Sequence, residues 1–273
     1  MSRVRYLKSL EQLKQEREAR RQREGQLESR VSSLRFVYET DPAIARALVP
    51  RPLEPAARPE VCVTLSKVAI RISPEYTHEI GSAVFGVRAR HGDTEGIALI
   101  TMPMTTEQAV LGGRDTFGEP KKLANIQFEL DEATGRVHST VERLGMTYLR
   151  GSGRLGASLG PRQHVEHAFC FKVSPSPSPE RDFDSEPLLV RLDWRHDQDR
   201  VHVLEDAELV LGESPFDPVA DVPVRRLLTA EYEEGRTDSD GRVLESVPAE
   251  WVLPILHQRY DEPGLQGVEI AAS

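Results

Sequence analysis

The chain has 273 residues, of which 38% are hydrophobic, enough for one large domain with an apolar core or for two small domains. Its formal net charge of −9 argues against a nucleic-acid-binding protein, which would present a basic face. No apolar run approaches the roughly 18 residues of a membrane span, and the charged N-terminus lacks the apolar core of a signal peptide, so we expect no membrane partner. Cys62 and Cys170 are far apart and lack CxxC spacing, which predicts neither a disulfide framework nor a zinc site and favours a cytoplasmic protein.

The first 34 residues differ in composition from the rest. Residues 3–30 contain nine Lys or Arg and five Glu, a net charge of +4, which leaves −13 for the remaining residues. Leu7, Leu10 and Leu13 recur at three-residue spacing in a Glu-, Arg- and Gln-rich segment, which predicts a helix. Two interpretations stay open: a solvated appendage, or a basic helix that packs on an acidic neighbouring subunit of a homo-oligomer.

Two short helices are predicted within the body of the chain. Asp41 followed by Pro42 is typical of a capped helix N-terminus and predicts a helix over residues 43–48. A second helix is predicted over residues 105–111, whose first two residues are threonines available as caps.

The rest of the body is a series of short apolar segments at roughly ten-residue spacing, as in a closed or wrapped β architecture. Strands are predicted over residues 34–38, 61–65, 68–72, 82–89, 96–102, 125–130, 136–144, 146–150, 167–173, 188–193 and 201–210. Residues 224–232 fit either a strand or a short helix. We therefore expect a single, mainly β domain over residues 35–260, followed by a C-terminal tail over residues 261–273.

One stretch of this domain carries two adjacent lysines. Residues 112–124 read Gly-Gly-Arg-Asp-Thr-Phe-Gly-Glu-Pro-Lys-Lys-Leu-Ala. Pro120 and the flanking glycines predict an irregular turn that presents Lys121 or Lys122. By composition alone, a solvated surface loop fits this pattern as well, because lysines are mostly exposed.

The stretch resembles the lysine-bearing segment of the acetoacetate decarboxylase superfamily, in which a Gly-Arg-acid sequence leads into Pro-Lys-Lys-Leu. Residues 37–54, 76–79 and 217–224 resemble three further segments of that family in the same order. The resemblance implies an antiparallel, closed or wrapped β-barrel with peripheral helices. It also implies that Lys121 forms a Schiff base with a small keto acid and that Glu79 is the general acid/base or orienting group.

The chemistry adds a requirement to this interpretation. An amine with a pKa of about 10.4 is almost fully protonated at pH 7, so a lysine nucleophile must be deprotonated with the help of burial or of a neighbouring cation. Adjacent residues of an extended chain point to opposite faces, so Lys122 should leave a pocket that Lys121 enters. We therefore favour burial, with Met102, Met104 and Phe117 as apolar lining. The other candidate substrate-binding residues are Tyr76, Arg114, Lys122 and Tyr148, and the predicted site uses neither a metal nor a cofactor.

The resemblance is incomplete in two places. It implies an arginine near position 31 and a glutamate near positions 63–65, where this chain has neither; Arg30 and Arg35 are close but unaligned. An iminium withdraws electrons from the neighbouring bond and so serves decarboxylation, aldol cleavage or dehydration. The missing groups favour aldolase or dehydratase chemistry over decarboxylation. The alternative is a non-catalytic β-barrel that binds a small acid, with Lys121 as a charged anchor.

Two other motifs predict no site. Residues 151–156 match GxGxxG, but the Gly160-Pro161 pair stops a following helix, so a nucleotide site is not expected. His164 and His167 lack both the HExxH spacing and a nearby third ligand, so a metal site is not expected.

Overall fold

The computed structural model describes residues 4–22, 28–261 and 267–270. Its helices are α1 (Leu10–Arg21), α2 (Pro42–Leu48), α3 (Glu107–Phe117) and α4 (Ala249–Leu256), with 3₁₀ turns at Val219–Asp221 and His257–Tyr260. Its strands are β1 (Glu28–Glu39), β2 (Glu54–Pro55), β3 (Glu60–Ser73), β4 (Tyr76–His91), β5 (Thr94–Met104), β6 (Lys121–Leu123), β7 (Asn125–Asp131), β8 (Arg136–Arg143), β9 (Met146–Ser158), β10 (Arg162–Lys172), β11 (Leu188–Leu211) and β12 (Arg226–Ser246). None of the described helices is long and apolar enough to cross a membrane.

The strands form one large sheet that partly closes on itself. The main order is β10-β5-β4-β3-β1-β12-β11-β9-β8-β7, and β10 also pairs with β11. Seven strands, from β10 round to β11, therefore make a closed ring of pairings. The strands β9, β8 and β7 continue outward, where β7 contacts β3 and β4 and β8 contacts β3. The prediction of a mainly β fold with peripheral helices is confirmed. The sheet is mixed rather than purely antiparallel, because β5 pairs in parallel with β6 and β10.

β1 shows why the two faces of the ring differ. Successive side chains of a strand point to opposite faces. Leu34, Phe36 and Tyr38 are fully buried in the main core, which they share with residues of β7, β8 and β9. Ser33 and Arg35 alternate with them and face the inside of the ring. The main core thus lies between the ring and the outer strands, and the inside of the ring is a separate environment.

The inside of the ring is apolar at one end and polar at the other. An inner apolar cluster fills one end and consists of Val37, Cys62, Ile97, Leu99, Met102, Ala168, Cys170, Val190 and Leu192. Further along the same strands, serine, threonine and charged side chains replace the apolar ones and leave a cavity. Apolar side chains thus fill one end of the ring, and the cavity at the polar end is the candidate site.

The N-terminal boundary differs from the prediction. A helix is present, but residues 28–34 already belong to β1, because β3 and β12 pair with this segment on its two sides. The side chains of Leu7, Leu10 and Leu13 are exposed in the single chain. The packing of this N-terminal segment on another subunit therefore stays a prediction. Most of the expected tail over residues 261–273 lies outside the described residues.

Other elements are longer than predicted. The helix predicted over residues 105–111 begins after its cap Thr106, as expected, but continues to Phe117. Residues 188–193 and 201–210 are two parts of the single strand β11, and the ambiguous segment 224–232 enters β12. Pairing with neighbours on both sides extends these strands through charged stretches that carry no strand signal of their own.

Candidate active site

Lys121 lies at the start of a short strand that follows closely on α3. Gly118 ends this helix in the left-handed conformation, with φ of 80°. After Pro120, β6 pairs in parallel with β5 so that Lys121 lies opposite Met102, whose N–H donates to the Pro120 carbonyl over 2.9 Å. The irregular turn is therefore only three residues long, Gly118–Pro120, and regular structure on both sides holds it.

Glu119 and Lys121 form an ion pair at the base of this turn. Lys121 Nζ lies 2.8 Å from Glu119 Oε2, and the two side chains are only 13% and 7% exposed. Gly113 of α3 packs directly against the pair. A Cβ atom at Gly113 would lie 2.2 Å from Glu119 Oε2 and 2.7 Å from Lys121 Nζ, so only glycine lets the helix come this close.

Both side chains line a cavity of about 240 Å³ inside the ring of strands. Its hydroxyl-bearing residues are Ser29, Ser33, Thr64, Ser66, Ser82, Thr237 and Ser239. Its apolar residues are Val31, Val68, Val84, Met102 and Trp194. Its ionisable residues are Arg35, Glu119, Lys121, Glu166, His196 and Glu233. A cavity with mixed lining and a few convergent polar groups is typical of a small-molecule site.

Arg35 brings a second cation into the cavity, but that cation is already paired. Its guanidinium contacts both carboxylate oxygens of Glu166, at 2.5 and 2.9 Å, and Arg88 lies 3.7 Å from the same carboxylate. Burial favours the neutral form of Glu166, yet the charge of Arg35 outweighs burial and lowers the pKa of this carboxyl. Glu166 therefore holds Arg35 in a charged, two-point contact.

Glu233 and His196 add groups of a different kind. Glu233 accepts hydrogen bonds from Arg162 (2.5 Å) and Gln198 (2.7 Å), but its burial outweighs these and raises its pKa. Burial also lowers the pKa of His196 to about 4, so this imidazole is neutral at pH 7. The ring of His196 stacks on that of His164 with centroids 4.6 Å apart, and its buried Nε2 has no partner among the described residues.

Lys122 points away from the cavity, as expected for the neighbour of an inward-facing residue. Its ammonium lies 2.7 Å from Asp217 Oδ1 and donates to the Phe216 carbonyl over 2.8 Å. Arg143 binds the other oxygen of Asp217 at 2.5 Å. Burial lowers the pKa of Lys122 against the attraction of Asp217. The structure therefore does not bring Lys122 together with Lys121 in the cavity, because its ammonium is enclosed in a separate ion cluster.

Glu79 and Tyr76 also lie outside the cavity, so the structure does not bring them together with Lys121. Ser82 of β4 faces the cavity, and Glu79, three residues earlier on the same strand, faces the other side. The Glu79 carboxylate is 62% exposed and lies 3.7 Å from the Lys67 ammonium. Tyr76 is exposed near the strand end, with its hydroxyl 3.4 Å from His78 Nδ1.

The predicted apolar lining is partly in place. Met102 lines the cavity, and Met104 is buried one step further along β5, opposite Ser82. Phe117 packs against the inner apolar cluster, and its carbonyl accepts a hydrogen bond from the Cys170 thiol. Met102 is thus the one of the three that borders the cavity next to Lys121.

Arg114 and Tyr148 are placed elsewhere. Arg114 donates to the Arg259 carbonyl over 3.3 Å and lies over the Tyr260 ring, outside the ring of strands. Tyr148 is fully buried in the main core, where burial raises its pKa well above its usual value. Neither residue lines the cavity, so the structure does not bring them together with Lys121.

Sequence reasoning missed Glu119 and left Arg35 unaligned. Glu119 stands two residues before Lys121, so the alternation that sends Lys122 outward also predicts that Glu119 and Lys121 share one side. Arg35 alternates with Val31 and Ser33 along β1 in the same way. The sequence did not show that the inward face of these strands is polar, and for that reason neither residue was assigned to the site.

The GxGxxG match lies within β9, not in a loop before a helix. Among the described residues no group of three or more His, Cys, Asp or Glu side chains is arranged to hold a metal ion. His167 is hydrogen-bonded to Asp193 at 2.8 Å, whereas His164 stacks on His196. The two histidines thus serve in separate local contacts.

Comparison with known proteins decides the family. The family model described as Acetoacetate decarboxylase (ADC) matches residues 16–247, most of the chain. The chain belongs to the acetoacetate decarboxylase family. Lys121, Glu119 and the cavity inside the ring are therefore the candidate active site of an enzyme of this family.

Three named proteins are similar to this chain in sequence or in fold. A CLA biosynthesis isomerase from Lactiplantibacillus plantarum is 35% identical over 124 residues, which is 44% of this chain and 43% of that protein. The acetoacetate decarboxylase of Legionella pneumophila has a TM-score of 0.65 and 16% identity, covering 80% of this chain and 87% of its own. The enduracididine biosynthesis enzyme MppR, solved as a complex with pyruvate, has a TM-score of 0.65 and 14% identity, covering 80% and 90%. The likeness to the two solved structures concerns the fold, and the matched part of the isomerase is less than half of its length.

Proposed function

We propose that this protein is a Schiff-base-forming enzyme that moves protons at the carbonyl of a small keto acid, with Lys121 as nucleophile and Glu119 as general acid/base. The observation that carries the proposal is the 2.8 Å contact between Lys121 Nζ and Glu119 Oε2 within a cavity of substrate size. A nucleophile and a base within hydrogen-bond reach are the expected signature of an activated amine.

The contact supports a complete proton cycle. Glu119 takes a proton from the Lys121 ammonium, and the neutral amine attacks the substrate carbonyl carbon. Glu119 then returns the proton to the carbinolamine oxygen, which leaves as water and forms the iminium. The iminium acidifies the neighbouring C–H, and the same carboxylate removes that proton to give an enamine.

In a substrate with a β,γ double bond the enamine is conjugated, and its protonation by Glu119 at the γ carbon moves the double bond. In a β-hydroxy substrate the enamine expels the hydroxyl group, which leaves as water with the proton from Glu119. Water then hydrolyses the iminium, which releases the product and regenerates the Lys121 amine.

The charges of the cavity favour these reactions over decarboxylation. A substrate carboxylate next to Lys121 needs a free cation, but the Arg35 guanidinium is held at two points by Glu166. The ionisable residues that line the cavity include three glutamates but only two basic residues that are always or usually charged, Arg35 and Lys121. Like charges at close range repel, so this lining is poorly suited to hold a carboxylate in position for loss as carbon dioxide. The name of the Lactiplantibacillus plantarum relative, an isomerase, supports proton transfer as the reaction class.

Borohydride trapping tests the proposal. Wild-type protein incubated with pyruvate or acetoacetate and then with borohydride should gain one reduced ligand mass, and peptide mapping should locate it at Lys121. Lys67→Gln removes an exposed lysine and should leave the adduct unchanged, whereas Lys121→Gln should abolish it. Labelling elsewhere, or no labelling with any member of a keto-acid panel, contradicts the proposal.

The same ion pair also supports a second candidate, a protein that binds small acids without turning them over. In that case the Lys121 side chain, which borders the cavity, contacts the bound acid directly instead of reacting with it. Trapping separates the two candidates, because an anchoring ammonium binds the acid but forms no reducible imine.

A further inference from the structure

A second cavity lies behind the turn that carries Lys121. Its volume is about 130 Å³. β5 and β10 pair only at Ile97–Ala98 and Ala168–Phe169, and the cavity lies where the two strands continue without pairing. The end of α4 and the following 3₁₀ turn border it from outside. Its apolar lining includes Leu48, Leu99, Ile100, Phe171, Ile255 and Leu256.

The two cavities are separate, although they share the lysine turn. Glu119 and Lys121 line the cavity inside the ring, whereas Gly118 and Pro120 line the second one. The two linings have no residue in common. The turn is thus a partition whose successive residues face different cavities.

Arg259 places a positive charge in the wall of this apolar cavity. The residue is 9% exposed, and its guanidinium donates to the carbonyls of Phe171 (3.1 Å) and Glu119 (3.3 Å). Its Nε is buried without a partner, and none of the described acidic side chains forms an ion pair with it. Arg114 donates to the Arg259 carbonyl and adds a second positive charge nearby.

A buried guanidinium without a charged partner in an apolar wall is energetically unfavourable unless an anion binds beside it. Burial of a charge with no opposite charge beside it is strongly unfavourable. Two carbonyl contacts use only part of the five N–H donors of the guanidinium. A carboxylate would satisfy the free Nε–H, and a hydrocarbon chain would fill the space between Ile100, Phe171 and Ile255.

We propose that this second cavity binds a small apolar carboxylate, with its oxygens on Arg259 and its chain among the apolar residues. Arg259 also contacts the backbone of Glu119, the partner of Lys121. Occupation of the cavity therefore stiffens the lysine turn from behind. The site is an effector site on the opposite side of the turn from the substrate.

Calorimetric titration with hexanoate tests the binding, with hexanamide as the uncharged control. Wild-type protein should bind one hexanoate per chain, and hexanamide at least tenfold more weakly. Arg259→Gln should weaken hexanoate binding at least tenfold, and so should Ile255→Trp, which fills the cavity and leaves the polar contacts in place. Lys121→Ala, on the other side of the turn, should bind hexanoate as the wild type does.

Hydrogen-exchange mass spectrometry locates the site without reference to catalysis. Hexanoate should slow exchange in peptides that cover residues 118–123 and 254–259 of the wild type, and not in Ile255→Trp. The proposal is overturned by any of three results: no hexanoate binding, binding that Lys121→Ala removes but Ile255→Trp does not, or protection confined to β1 and β12. Because no imine is involved, a failure of borohydride trapping leaves this test unaffected.

Discussion

Lys121 and Lys122 are adjacent in the chain, yet their ammonium groups occupy different environments on opposite sides of β6. Lys121 faces the cavity and pairs with Glu119, whereas Lys122 is enclosed with Asp217 and Arg143. Only the first lysine has room for a substrate beside its nitrogen. The second stabilises the strand that positions the first.

The first prediction concerns Glu119. Glu119→Gln removes the proposed proton carrier and keeps the side-chain size, so turnover should fall by about 10²–10⁴-fold, as for a lost general acid/base. Glu79→Gln is the matched control, because Glu79 is an exposed glutamate that faces away from the cavity, and its rate should change less than about twofold. Steady-state kinetics of the two variants side by side measures this. A larger loss for Glu79→Gln would restore the assignment implied by the family resemblance.

The second prediction concerns Gly113, where α3 touches the ion pair. Gly113→Ala places a methyl group against Glu119 Oε2 and Lys121 Nζ, so it should slow borohydride trapping by roughly 100-fold through misplacement of the amine. Gly112→Ala is its neighbour in the same helix, and its Cβ meets nothing within 4 Å. That control should trap normally and gain about 0.5–1 kcal/mol of stability. Equal trapping rates for both variants would show that α3 moves to make room for the added methyl group.

The third prediction concerns the stability supplied by Lys122. Lys122→Met leaves the fully buried Asp217 with only Arg143 as a charged partner, and should lower the free energy of unfolding by about 3 kcal/mol. Lys67→Met breaks an exposed pair with Glu79 and should cost at most about 1 kcal/mol. Urea denaturation of both variants measures the difference. If Lys122→Met unfolds like the wild type, the cluster is not a stabilising contact.

The fourth prediction concerns pH and His196. Its pKa is about 4 in the folded protein against 6.5 for the free group, so the unfolded chain binds the proton more strongly. The free energy of unfolding should therefore fall as the pH is lowered from 6.5 towards 4, by up to about 3 kcal/mol from this group. Next to burial, His164, Arg35 and Arg162 lower the pKa of His196 further, and Glu166 raises it.

A matched pair of variants isolates that contribution. His196→Gln should flatten the stability profile between pH 6.5 and 4, the window set by the two pKa values of His196. His138→Gln removes an exposed histidine on β8 and should leave the wild-type slope unchanged. Urea midpoints at half-unit pH intervals supply the profile, and an unchanged slope in His196→Gln contradicts the assignment.

The fifth prediction concerns α1 and the oligomer. Leu7, just before this helix, and Leu10 and Leu13 within it are exposed in the chain, and the N-terminal segment is basic while the body is acidic. Deletion of residues 1–22, which spares β1, should lower the mass measured by light scattering. Raised salt should weaken the same contact, because screening acts on exposed charges. An unchanged mass in both measurements favours a solvated appendage.

The sequence by itself determined the strand content, the two short helices and the direction of the lysine pair. Local signals suffice for these, because alternation places Lys121 and Lys122 on opposite faces wherever the strand lies. The threonine cap of α3 and the Asp41 cap of α2 are likewise local, since each is a contact within four residues. The family resemblance added the choice of Lys121 as the nucleophile.

Only the tertiary structure decided which groups meet Lys121. Arg35, Glu166 and Glu233 come from three strands that are distant in sequence, and the ring closure between β10 and β11 brings them to one cavity. Glu79 lies on a strand that lines the cavity, but its side chain points to the outer face of β4. Which face it takes depends on the register of β4 with β3 and β5. Register is set by long-range pairing, and a shift of one residue exchanges the two faces of a strand. The lysine could thus be chosen from its own segment, whereas its acid/base partner required the assembled ring.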